Sequence, residues 1–100
     1  MQLKPGSVWY SATSEAQVVV VRPAAGGVEL TCGGRPMLDA PPATVEEPLT
    51  ADPGQLLIGK RYVDGTSGLE LLCSKGGTGT LACDGRPLEM AQPKPLPSSD

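Results

Sequence analysis

Two cysteines with nearly identical neighbours are the first candidates for chemistry in this chain. Cys32 lies in Leu-Thr-Cys-Gly-Gly-Arg-Pro-Met, residues 30–37, and Cys83 lies in Leu-Ala-Cys-Asp-Gly-Arg-Pro-Leu, residues 81–88. The matched positions share one spacing of 51 residues, which chance rarely produces. An internal repeat indicates the architecture of a fold more directly than other sequence features do. Because Cys-x-Gly has the shape of a metal-binding knuckle, the two copies predict two equivalent places where a site would lie.

The two repeated cysteines also admit simpler roles. They could approach each other across a twofold axis and form a disulfide or share a metal, or they could be small buried residues, the commoner fate of a free cysteine. The chain has three cysteines and no histidine, so it lacks the usual general base and the commonest metal ligand. We favour buried residues, and we expect the third, Cys73, to serve in packing as well.

The repeated arginines and the neighbouring aromatic residues are candidates for contacts with a partner. Arg35 and Arg86 could form a symmetric pair of guanidinium groups for an anionic ligand. The alternative, which we favour, is that each pairs with a nearby acid or a loop carbonyl. Trp9 and Tyr10 could be exposed anchors for a partner, although we expect them to cap a small core.

The composition predicts an all-β fold. Glycine and proline, 13 and 11 residues, punctuate short strands and disfavour helices. Four consecutive valines at 18–21 favour a strand covered on both faces, and a turn at 24–27 followed by a return strand predicts a β-hairpin over residues 17–32. Residues 69–83 predict a second hairpin, with 69–73 matched to the valine run at the spacing of 51.

These elements predict two similar units that pack on each other, because units this small rarely fold alone. We expect the first unit at 1–38, an acidic proline-rich linker with a short strand at 39–58, the second unit at 59–90, and a tail at 91–100. The opening aromatics of the units are 53 residues apart. The first unit therefore has about two extra residues between its aromatic and its hairpin.

Charge and hydropathy narrow the range of partners. The formal net charge is −3, from 8 basic and 11 acidic residues, and no basic patch alternates with aromatic residues. We therefore expect no nucleic-acid binding. No apolar run approaches the ~18 residues that a membrane span needs, and residues 1–5 do not look like a signal peptide. A cytoplasmic, soluble protein is the expectation.

The order of features in each unit resembles the desulforedoxin fold, a small rubredoxin-like iron knuckle that also begins desulfoferrodoxins. The features are Gly6-x-x-Trp9 or Gly59-x-x-Tyr62, an apolar strand, a Gly-Gly turn and Leu-x-Cys-x-Gly. In that family four cysteine thiolates hold one iron, and the protein is a homodimer. The resemblance implies two rubredoxin-like β-hairpin units related by a pseudo-twofold axis, like such a dimer fused into one chain.

This sequence departs from the family at the metal ligands. Where the family has Cys-x-x-Cys, the first unit has Ser11-x-x-Ser14 and the second has Asp64-x-x-Ser67. At the position of the family's adjacent pair of cysteines, the first unit keeps only Cys32 and the second keeps only Cys83. Each unit therefore keeps one of four ligands, too few for an iron or zinc centre of this type. We expect the serines and Asp64 to fill the former knuckles with hydrogen bonds.

Three functions are compatible with this pattern. The favoured one is a non-catalytic accessory or interaction protein that binds a larger protein partner without a cofactor, because no base activates Ser11 or Ser14. The second is an iron-binding, zinc-binding or redox protein that uses Cys32, Cys83 and oxygen ligands such as Asp64, in one chain or in a homo-oligomer. The third is an enzyme subunit that is inactive alone.

Overall fold

The computed structural model describes residues 3–46 and 54–91, and within them the chain is all-β, with no helix. This confirms the predicted fold class. The strands of the described part are β1 (Val8–Tyr10), β2 (Gln17–Arg22), β3 (Leu30–Cys32), β4 (Arg35–Pro36), β5 (Gln55–Leu56), β6 (Arg61–Val63), β7 (Glu70–Lys75), β8 (Gly77–Thr78), β9 (Leu81–Cys83), β10 (Arg86–Pro87) and β11 (Glu89–Met90).

The strands form two larger sheets and one small sheet. The five-stranded sheet has the order β1-β2-β7-β6-β11, the four-stranded sheet has the order β10-β9-β3-β4, and β5 pairs with β8. One buried cluster contains residues of both larger sheets, including Val18, Leu71, Leu30 and Leu81. Pro36 and Pro87 lie on the outer strands of the four-stranded sheet, where a missing N–H limits further pairing.

Strands β3 and β9 pair in a reciprocal register at the centre of the four-stranded sheet. Leu30 faces Cys83, and Cys32 faces Leu81. Since Leu30 corresponds to Leu81 and Cys32 to Cys83 in the repeated sequence, exchanging the two segments converts one contact into the other. A local twofold axis between the two segments produces this register.

Strands β2 and β7 pair in the same reciprocal way, but their correspondence corrects the predicted alignment. Each has six residues with the same pattern of burial, and they match at a spacing of 53 rather than 51. Val18 faces Cys73 and Val20 faces Leu71. Cys73 is therefore the counterpart of Val20, and the two extra residues of the first half lie between β2 and β3.

The two predicted hairpins are wrong. Strand β2 lies between β1 and β7, while β3 lies between β4 and β9, so β2 and β3 belong to different sheets. Likewise β7 and β9 do not pair. The strands instead pair with their counterparts from the other half of the chain, because that arrangement buries apolar side chains of both halves in one cluster.

The valine strand β2 is covered on one face only, which corrects the prediction of two covered faces. Val18 and Val20 are buried, whereas Val19 is half-buried and Val21 is 42% exposed. The strand stops at Arg22, directly before Pro23. Because β2 pairs with β7, the contact between the two halves of the chain runs along this strand.

The described part of the predicted linker folds back on the first half of the chain. The Glu46 N–H donates to the Ala12 carbonyl at 2.7 Å. The predicted short strand is present as β5. Residues 47–53 and 92–100, which hold the rest of the linker and most of the predicted tail, lie outside the described residues. The described residues contain no helix with the length and apolarity needed to cross a bilayer.

Candidate functional site

Four polar or thiol side chains of the second half meet at the place where the sequence suggested a knuckle. Asp64 directly follows β6, and Ser67 lies in the turn before β7. Cys83 ends β9 and Arg86 begins β10, and these two residues pair across the β9–β10 hairpin. The turn and the hairpin therefore bring two distant stretches of sequence together, and we call the four residues the Asp64 cluster.

Asp64 accepts most of the hydrogen bonds of this cluster. Its Oδ2 accepts from the Ser67 hydroxyl at 2.6 Å, from the Ser67 N–H at 3.2 Å and from Arg86 Nη2 at 3.1 Å. The residue is only 5% exposed. The Arg86 guanidinium, followed by Ser67, holds the pKa of this carboxyl well below its usual range, although burial acts in the opposite direction.

Cys83 is joined to the same network through Ser67. Its Sγ lies 3.7 Å from the Ser67 hydroxyl oxygen, and the residue is fully buried. Burial raises the pKa of the thiol; Ser67 opposes that shift, and the nearby Asp64 carboxylate adds to it. The thiol is therefore protonated near neutral pH and is a poor nucleophile and a poor metal ligand.

Arg86 supplies the positive charge that Asp64 requires. Its side chain is 42% exposed, while its Nε atom is buried without a hydrogen-bond partner among the described residues. The bond to Asp64 raises the pKa of Arg86 further. The Asp64 cluster thus has a buried carboxylate at its centre and a partly solvated cation at its rim.

The corresponding place in the first half carries no carboxylate. Ser11 Oγ accepts from the Thr13 N–H at 3.1 Å, and Ser14 Oγ accepts from the Ala16 N–H at 3.2 Å. Both serines therefore stabilise a turn. Cys32 is fully buried, with its Sγ 3.9 Å from the Thr78 carbonyl. The two sets of residues occupy corresponding positions in the two halves, but only the second set contains a carboxylate.

The two repeated arginines form ion pairs with different acids. Arg86 binds Asp64, whereas Arg35 Nη1 lies 3.5 Å from Glu46 Oε2 in a more exposed ion pair. Each arginine therefore has an acid as its partner.

The three cysteines are buried, and none of them forms a disulfide. The Cys73 thiol donates to the Lys75 carbonyl at 3.2 Å, and burial raises its pKa. Cys32 and Cys83 lie on adjacent strands but are not direct partners in the register.

The two neighbouring aromatics have different surroundings. Trp9 is 9% exposed and belongs to the core cluster, and its Nε1 donates to Ser7 Oγ at 3.1 Å. Tyr10 is half-buried and lines a surface cleft. Trp9 is thus a core residue, while Tyr10 can also contact a ligand.

Two surface clefts flank residues 41–46. The first, which we call the tyrosine cleft, has a volume of about 350 Å³ and is lined by Tyr10, Ser11, Ser14, Glu15, Ala16, Gln17, Pro41, Pro42, Val45 and Lys75. The second has a volume of about 380 Å³ and lies between the same segment and Arg35, Pro36 and Leu38. Sequence reasoning missed both clefts, because the pattern of residues 39–46 does not show where the segment packs.

The residues present do not fit the four-thiolate iron site that the family resemblance implies. Each of the two corresponding places has one thiol; the Cys83 thiol has a raised pKa, and Arg86 already neutralises Asp64. Among the described residues, no three or more histidine, cysteine, aspartate or glutamate side chains are close enough to share a metal ion.

Comparisons with protein-family models, curated proteins and solved structures found no match to this chain. The candidate site is therefore interpreted from its own geometry.

Proposed function

We propose that this protein is a non-catalytic interaction module that binds a larger protein through the surface around residues 41–46. In this proposal the scaffold is a pair of degenerate desulforedoxin-like knuckles without metal. The observation that carries it is the Asp64–Arg86 ion pair, which uses the carboxylate of the second knuckle for structure. A group occupied in this way is not available as a base or as a ligand.

The surface around residues 41–46 supports the choice of a protein partner. Val45 is 52% exposed and lines the tyrosine cleft together with Tyr10 and Pro42. Aromatic, proline and aliphatic side chains at a cleft provide apolar contact area, which supplies most of the energy of protein–protein binding. Arg35 and Glu46 add a polar rim to the second cleft.

The proposal is tested with two exposed valines that form a matched pair. Val45 lines the tyrosine cleft, and Val21, 42% exposed on β2, lines neither cleft. The full chain and its Val45→Asp and Val21→Asp variants are expressed in the native host, and the mass of the isolated species is measured by light scattering. We expect a species heavier than the 10.3 kDa chain that Val45→Asp disrupts and Val21→Asp preserves.

Two results would overturn the proposal. One is a heavier species that both variants retain, because the partner would then bind elsewhere. The other is turnover of a substrate by the purified chain alone, because the protein would then be an enzyme.

A further inference from the structure

The turn between β5 and β6, residues 57–60, exposes apolar side chains. The Lys60 N–H donates to the Leu57 carbonyl at 3.2 Å, and Gly59 has a φ of +81°, as the third residue of a type II β-turn requires. Leu57 is 43% exposed, and Ile58, at 68%, is the most exposed large apolar side chain that the structure describes. Residues 57–60 line neither of the two clefts, so this surface is separate from the one proposed for the protein partner.

The corresponding turn of the first half shows that the backbone does not require apolar residues here. Residues 4–7 form the same turn, with an N–O distance of 3.0 Å and a glycine φ of +82°. Lys4 and Pro5 occupy the positions that correspond to Leu57 and Ile58. Proline is favoured at the second position of such a turn. The turn geometry therefore accounts for Pro5 but not for Ile58.

Met90 extends this apolar surface. Tyr62 Oη accepts from the Leu57 N–H at 3.0 Å, and Met90 is the register partner of Tyr62 on β11. Met90 is 38% exposed, whereas the corresponding residue of the first half is the exposed Asp39. We call Leu57, Ile58 and Met90 the apolar tip. In the first half its three positions hold a lysine, a proline and an aspartate.

Cations border the apolar tip. Lys60 closes the turn, and Lys75 ends β7; both are exposed. Gly76, the residue after Lys75, lies against the turn, since a Cβ atom there would be 3.7 Å from the Ile58 nitrogen. Residues 57–60 contain no acid. The turn therefore carries positive charge locally, although the formal net charge of the chain is −3.

We propose that the apolar tip docks on the surface of an anionic lipid bilayer. Leu57 and Ile58 enter the boundary between headgroups and acyl chains, and Lys60 and Lys75 bind the lipid phosphates. Apolar side chains and cations on one surface act together in interfacial binding. The contact needs no membrane-spanning segment, and it does not depend on the proposed function.

The size, shape and charge of the tip favour a bilayer over a protein. Three side chains offer far less than the roughly 800 Å² that each partner buries in a standard protein–protein interface. Because the hydrophobic effect is non-directional, a bilayer takes up the exposed end of a turn without a matching pocket. A second copy of the chain is disfavoured, since two tips in contact would bring Lys60 and Lys75 of both copies together.

The test is sedimentation of the full chain with vesicles, using matched variants of the two corresponding turns. We expect the wild type to bind vesicles of equal parts phosphatidylserine and phosphatidylcholine more tightly than vesicles of phosphatidylcholine alone. Ile58→Ser should weaken binding to the anionic vesicles roughly tenfold through lost apolar burial. Lys60→Ser should weaken it about fivefold through a lost phosphate contact. Pro5→Ser and Lys4→Ser, at the corresponding positions of the first half, should bind like the wild type.

All four variants change exposed turn residues, and their urea midpoints check that the fold is kept. A wild type that does not bind the anionic vesicles would overturn the proposal. Undiminished binding by Ile58→Ser, or an equal loss in Pro5→Ser, would overturn it because the tip would not be the docking site. Equal binding to both kinds of vesicle would exclude the anionic lipid. A wild type that ignores vesicles, with a heavier species in the native host that Ile58→Ser disrupts, would show that the tip binds a protein instead.

Discussion

Arg86 and Asp64 are 22 residues apart in sequence, and their side chains form an ion pair with an Nη2–Oδ2 distance of 3.1 Å. The pair lies where the family resemblance would place a metal. Its carboxylate is buried and its guanidinium reaches the solvent. The positive charge that a buried carboxylate needs therefore comes from the chain itself.

Removing the arginine of this pair should destabilise the protein more than removing its counterpart in the first half. Arg86→Ala leaves Asp64 buried with Ser67 and Cys83 as its remaining side-chain partners, whereas Arg35→Ala breaks a more exposed pair with Glu46. We expect a clearly lower urea midpoint for Arg86→Ala and a small change for Arg35→Ala. Equal midpoints for the two variants would show that the buried pair has no special role.

Stability should fall in acid because of Asp64. Its pKa is lowered in the folded protein, so the carboxylate stabilises the fold fully above its unfolded pKa of about 3.9, and that contribution is lost as pH falls toward the folded pKa. Asp64→Asn should cost about 1–3 kcal/mol near neutral pH and flatten the acid dependence. Urea unfolding of both proteins between pH 6 and 2, about where carboxylates titrate, measures this. If the free energy of unfolding changed with pH in the same way for the wild type and Asp64→Asn, Asp64 would not be the source of the acid dependence.

The cysteines should react only when the protein opens. Cys32 and Cys83 are 0% exposed and Cys73 is 1% exposed, and burial raises the pKa of Cys73 and Cys83. With a thiol reagent such as Ellman's reagent, we expect slow reaction of the native protein and prompt reaction of all three thiols in denaturant. Rapid reaction of one thiol in the native protein would show that its surroundings are open.

Gly79 should not tolerate a side chain. A Cβ atom there would lie 2.6 Å from Cys32 Sγ, and its φ of +121° is unfavourable for other residues. We expect Gly79→Ala to cost more than ~2 kcal/mol, from overlap and strain together. Gly26→Ala is the control, because its φ is also positive but nothing lies within 4 Å. The double variant Gly79→Ala/Cys32→Ala should regain part of the stability that Gly79→Ala loses. If it regains none, the loss comes from backbone strain alone.

Composition and β-propensity were enough to predict the all-β class and the short strand β5. They were not enough to predict strand pairing. The turn at 24–27 favours a local hairpin, but β2 pairs with β7 instead, and this choice depends on which apolar faces share the core. The alternating burial of Val18 to Val21 follows from the same packing, which a run of identical residues does not show.

The candidate site was partly visible in the sequence. Asp64 and Ser67 have the x-x spacing of the two cysteines in the family that the sequence resembles. The sequence analysis predicted that they would form hydrogen bonds. The partner of Asp64 was left open, because Arg86 meets it only through the β9–β10 hairpin. A signal was present in the difference between the halves: the second half has Asp64 where the first has Ser11, and both halves have the arginine, so a cation was available for the carboxylate.

The central claim is that the Asp64–Arg86 pair holds the turn after β6 and the β9–β10 hairpin of the second half together without a metal. The most direct measurement is elemental analysis of protein purified without added metal, with unfolding measured before and after treatment with a chelator. The account predicts a folded protein that contains no stoichiometric metal and is insensitive to the chelator. About one iron or zinc per chain, the usual content of such a site, that is lost on Cys32→Ser or Cys83→Ser would contradict it.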